Sequence, residues 1–131
     1  ETGMGQPARS GEEEDLRLLQ SQPEAREWLR SHPREGPLAS NRFEGTEDAL
    51  AFVESLYQAG AAKVVVDGII DDEVEMDEGG PYAESLIVAL PDDSGRRSRL
   101  FAILQAEKER AKDRDDPVAD VGQKTLYFWW D

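Results

Sequence analysis

Residues 124–131 read Lys-Thr-Leu-Tyr-Phe-Trp-Trp-Asp, and no other stretch limits the fold as strongly. Alternate side chains of a strand point to opposite faces. Thr125, Tyr127 and Trp129 therefore share one face, and Leu126, Phe128 and Trp130 share the other. Both faces are apolar or aromatic. Such a strand belongs in a sheet covered on both sides, or in a sheet that keeps one face for a partner.

The rest of the chain supplies the other layers. Residues 1–11 are polar, with Gly, Pro and Ser, and read as a disordered lead. Glu1-Thr2-Gly3 ahead of Met4 reads as a remnant of a secretion-type expression vector, which favours an exported or periplasmic protein, with a cytoplasmic one as the alternative. From Glu12 to Asp15 four acids open a helix, with Leu16, Leu18 and Leu19 behind them. Ser21 and Glu24 form a capping box for a second short helix carrying Ala25, Trp28 and Leu29. Residues 31–40, with Pro33, Gly36 and Pro37, read as a linker. The expected division is a lead over 1–11, a helical extension and linker over 12–40, and an α+β domain over 41–131.

Within that domain, residues 38–44 suggest a short first strand anchored only by Leu38 and Phe43. Thr46 is the expected N-cap of a helix whose apolar positions are Ala49, Phe52, Val53, Leu56 and Tyr57, and Gly60 stops it. Val64-Val65-Val66 and Ile69-Ile70 mark a strand over 63–70. A second strand spans 84–90, and Ser94 is placed to cap a helix carrying Leu100, Ile103 and Leu104. The succession strand, helix, strand, strand, helix, strand is that of a split βαβ, ferredoxin-like α+β fold. Two helices then cover one face of an antiparallel sheet, and the N-terminal helix with Trp28 is a candidate lid for the other.

Charge narrows the functions. There are 29 acidic residues against 15 basic ones, a formal net charge of −14. Each phosphate contact needs a cation, so nonspecific nucleic-acid binding is disfavoured. The aromatic strand could stack nucleobases, but the charge and the lack of a matching basic motif speak against it. No run of about 18 apolar residues is present to span a membrane. Absence of cysteine excludes disulfides and thiolate chemistry, and the single histidine, His32, sits beside Pro33 without a partner for a triad. An enzyme is not expected, and neither is a cofactor or a resident metal.

Three features remain as candidate sites. Asp67, Asp71, Asp72, Glu73, Glu75, Asp77 and Glu78 crowd one loop without a base among them. They suit a solvated, self-repelling turn, a docking site for a basic partner, or a hard cation, although the spacing fails an EF-hand. Arg96, Arg97 and Arg99 open the last helix, where the dipole disfavours cations, so they are expected to pair with nearby acids or to hold an anion. Tyr127 and Trp129 complete the set as exposed aromatics of the final strand. The reading that unites them is a non-catalytic protein-interaction module binding through Tyr127, Trp129 and the acids Asp71, Asp72, Glu73 and Glu75. An acidic immunity-type inhibitor of a basic enzyme and a divalent-cation-responsive domain are the alternatives.

Overall fold

A computed structural model describes residues 12–32, 37–40, 42–77, 80–111 and 117–130. The β-branched and aromatic runs become a three-stranded antiparallel sheet of β1 (Lys63–Asp67), β2 (Ser85–Ala89) and β3 (Thr125–Trp129), in that order. The register aligns Val64, Val88 and Leu126 in one row and Val66, Leu86 and Phe128 in another. These six side chains point to one face and are buried in the main core. The row Val65, Ile87 and Tyr127 points to the opposite face.

Both faces are covered. On the main side lie α2 (Ala25–Ser31), α3 (Thr46–Ala59) and α5 (Ser94–Arg110). Their Leu29, Val53, Leu56 and Leu100 are fully buried with Phe43, Phe128 and Trp130. Phe43 and Trp130 meet edge-on at 5.3 Å, a geometry that aromatic quadrupoles favour. On the other side α1 (Glu12–Ser21) lays Leu19 onto Val65 and Ile87, with Leu16, Leu18 and Tyr127 at the margin. Polar contacts fix its two ends. The Thr125 hydroxyl donates to Asp15 at 3.2 Å, the Lys124 amide donates to Glu12, and the Lys63 ammonium donates to the Leu19 carbonyl at 2.7 Å.

The chain is thus α+β with an antiparallel sheet, but its strand order departs from the split βαβ. That arrangement sets the first strand in the middle of the sheet, whereas here β2 lies between β1 and β3. The first strand reduces to one parallel bridge, Leu38 to Ala83. Ala39 then adopts a left-handed φ of 43°, and its carbonyl accepts from the amides of Arg42 and Phe43. Leu38, Ala39 and Phe43 of this segment are buried in the main core, and the chain turns at Ala39 and does not extend the bridge. The largely apolar and aromatic β3 takes the place beside β2.

A second departure concerns the N-terminal segment. Trp28 lies not over the second sheet face but in the main core at 5% exposure, and α1 is the cover instead. Residues 23–24 also close the outer edge of β1: Glu24 bridges Val65, and the Val66 amide donates to the Pro23 carbonyl at 3.0 Å. An edge strand left open invites unwanted pairing. The segment read as an extension therefore shares core and sheet edge with the rest of the chain.

The helix ends show smaller shifts. Glu24 itself caps α2 by accepting from the Glu27 amide at 2.9 Å, in place of Ser21. Gly45 is the N-cap of α3, and Thr46 is its first helical residue. Asp93 caps α5, one position before Ser94. Gly60 does end α3, with φ of 120°, and a Cβ there would lie 2.7 Å from the Arg96 side chain. Gly60→Ala should therefore cost about 1–3 kcal/mol through backbone strain and crowding. A urea midpoint equal to wild type would contradict this.

Candidate functional site

The acidic loop between β1 and β2 forms a hairpin connection that carries a short helix, α4 (Glu73–Asp77). Gly68 turns the chain out of β1 with φ of 68°. Ile70 and Tyr82 then exchange backbone hydrogen bonds of 2.6 and 3.0 Å, closing the hairpin base. The Tyr82 hydroxyl accepts from the Ser40 amide at 3.1 Å and ties this base to the main body. The Met76 amide donates to the Asp72 carbonyl at 2.9 Å, forming the turn of α4.

What the tip displays is unusual for its composition. Asp71, Asp72, Glu73 and Asp77 are exposed, and between them Val74 is 65% and Met76 51% exposed. Ile70 adds a third exposed apolar side chain at the base. Neither Val74 nor Met76 joins either hydrophobic cluster. The Glu75 side chain and Glu78 lie outside the described residues. Among the described residues no three His, Asp or Glu side chains converge as a metal site.

The two aromatics proposed for binding have separate fates. Tyr127 packs against the cluster beneath α1. Trp129 is half-buried, belongs to neither cluster, and lies opposite Ser85, which in turn pairs with Asp67. That row is the end of the sheet from which the hairpin leaves. Contacts from α1 fall at the other end, on Lys63 and Thr125. Trp129 and the base of the hairpin therefore share one end of the sheet, while Tyr127, also half-buried, packs against the cluster that holds Leu19 of α1.

The arginines serve the fold. Arg97 donates to both carboxylate oxygens of Asp120 at 3.0 and 2.6 Å and to the Pro91 carbonyl at 3.2 Å. Hydrogen bonding from Arg97, helped by the Gly122 amide, holds the Asp120 carboxyl down at about 2. The stem of Arg96 lies over Gly60, and Arg99 is exposed. Asp93 accepts from the Arg96 amide at 2.8 Å, so the protein's own carboxylate occupies this helix terminus.

Two further networks stabilise the core side. Glu107 accepts from Arg42 at 2.8 and 3.0 Å and from the Trp130 indole at 3.0 Å. Burial works to raise the Glu107 pKa, but these bonds outweigh it and hold the carboxyl below its ordinary value. Tyr57 donates to Glu24 at 2.7 Å and accepts from the Val64 amide at 3.0 Å, beneath an Arg26 guanidinium 3.8 Å from its ring. Burial first, and then the bond to Glu24, push this phenol up to about 12. Its neutral form stabilises the fold fully below the ordinary 10.0, and that contribution is lost as pH rises through about 12. A spectrophotometric titration should show one phenol ionising near pH 12 that Tyr57→Phe removes; its absence from wild type would contradict the buried bond.

Among the described residues the single histidine has a local role. The His32 ring pairs with the Trp28 carbonyl at 2.8 Å and lies tilted by 35° against the Trp28 indole, with ring centres 5.0 Å apart. Glu44, Glu47 and Asp48 line a shallow concavity at the start of α3, where Asp48 accepts from the Glu44 amide at 3.1 Å. No helix among the described residues is long and apolar enough to cross a membrane. No protein-family model, curated protein or solved structure matches the chain.

Proposed function

We propose that the protein is a non-catalytic interaction module that docks a partner protein on the hairpin end of its sheet. The supporting observation is the exposure of Val74 and Met76 on a helical turn whose base is anchored to the body. Large apolar side chains stabilise a fold only when buried. These two contribute nothing to either core, and an anchored apolar tip is what an interface needs at its centre. Trp129 at the same end supplies an aromatic rim residue of the kind enriched at interfaces. The surrounding carboxylates and the formal charge of −14 favour a basic partner and speed its approach. An inhibitor that neutralises a basic enzyme is the special case in which that partner is catalytic.

The test is capture from extracts and secreted fractions of the source cells by wild type and by a V74S/M76S variant. A protein retained by wild type at low salt, weakened by added salt and lost from the variant is the expected result. Equal retention by both chains would overturn the docking site.

A further inference from the structure

We infer that the occupant of the hairpin is a Lys/Arg-rich segment of another protein that carries apolar side chains among its charges. The inference rests on the docking reading above and adds the chemistry of the partner. The tip offers carbon at Val74, Met76 and Ile70, and oxygen at Asp71, Glu73 and Asp77, within one short stretch. No base lies between residues 68 and 84. An anionic or neutral segment that buried the apolar side chains would strand these carboxylates beside it without counter-charge. A cationic segment meets both demands, because Lys and Arg lay their stems along apolar surface while their heads reach carboxylates. Met76 suits this role, since an unbranched thioether adapts to differently shaped neighbours.

A second copy of the chain is a poor occupant. Two molecules of charge −14 repel. Several of the chain's own cations are also engaged within it: Arg26 with Glu54, Arg42 with Glu107, Arg97 with Asp120, and Lys63 with the Leu19 carbonyl. Nucleic acid and anionic lipid would meet the carboxylates with like charge. The anchored base lowers the ordering cost on this side, so the tip can receive an unstructured cationic segment.

The experiment titrates the full isotope-labelled chain, followed by NMR, with an amphipathic Lys/Leu peptide. Lys/Ser and Glu/Leu peptides of equal length are the comparisons. The expected result is shift changes centred on residues 70–77 and the Trp129 indole with the Lys/Leu peptide only. Affinity should fall about tenfold or more in V74S/M76S and again in D71N/E73Q/D77N. Equal affinity for the Lys/Ser peptide would reduce the hairpin to a counter-ion surface and overturn the inference. Shifts centred elsewhere, or binding of the Glu/Leu peptide, would do the same. If V74S/M76S loses a cellular partner but the hairpin ignores the Lys/Leu peptide, the docking reading stands and this inference falls. If cellular capture ignores both substitutions, the docking reading itself falls.

Discussion

Deleting residues 1–31 is expected to leave a chain that no longer unfolds cooperatively. The deletion removes Leu19, Ala25, Trp28 and Leu29, which are between 0% and 6% exposed. It uncovers Val65 and Ile87 on the second sheet face and strips Pro23 and Glu24 from the edge of β1. Truncating a single buried Trp to Ala costs about 3–5 kcal/mol. A whole domain is stable by only about 5–15 kcal/mol. Losing four buried apolar residues together exceeds what such a margin allows. Urea unfolding followed by tryptophan fluorescence and near-ultraviolet circular dichroism reads this directly. A sharp transition retained by the shortened chain would place α1 and α2 outside the core.

Glu107→Ala carries the second-largest expected effect. Its carboxylate is 11% exposed and is shared by Arg42 and the Trp130 indole. Removing it leaves a guanidinium 19% exposed and a buried N–H without their acceptor. Breaking a buried pair from one side costs about 3–5 kcal/mol. Arg42 also lies 4.6 Å from the centre of the Phe43 ring, so its displacement would loosen the aromatic cluster. The pH dependence has a definite sign. The folded-state pKa of Glu107 is lowered, so its contribution is present above the ordinary 4.5 and is lost as pH falls below it. Wild type should therefore lose more stability than Glu107→Ala between neutral pH and pH well below 4.5. Parallel acid limbs in the two proteins would show that the pair adds nothing.

Both predictions depend on contacts that periodicity does not reveal. The helix over Thr46–Ala59 and the three strands were legible because apolar residues recur at helical or alternating spacing. Gly60 was legible as a stop for the reason that only glycine accepts its φ without strain. The pairing of Arg42 with Glu107 spans 65 positions, and no local pattern marks it. Trp28 sits on a helix of seven residues followed by a Pro- and Gly-rich stretch, which resembles an appended arm in one dimension. Tertiary packing decided otherwise, because an indole and Leu29 fill space beside α3.

The candidate site was half legible for similar reasons. The acidic run stood out by composition, but a helical turn of five residues is too short to show amphipathic spacing. The exposure of Val74 and Met76 therefore appeared only with the fold. Tyr127 and Trp129 share a strand face, and nothing in their spacing separates them. Both are half-buried, and they differ in their neighbours: Tyr127 packs against the cluster that holds Leu19 of α1, whose position Asp15 and Leu19 set through Thr125 and Lys63, and Trp129 joins neither cluster. Arg97 was expected to find an acid nearby, and its partner Asp120 comes from the loop before β3, 23 positions away.

If Val74 and Met76 are exposed for a partner, as proposed, replacing them leaves the stability of the fold unchanged. Equilibrium unfolding of V74S/M76S in urea tests it most directly. A transition within about 0.5 kcal/mol of wild type is expected, as for exposed positions away from structural features. A loss above about 2 kcal/mol would show that Val74 and Met76 are buried in the folded protein, and the docking surface would have to be abandoned.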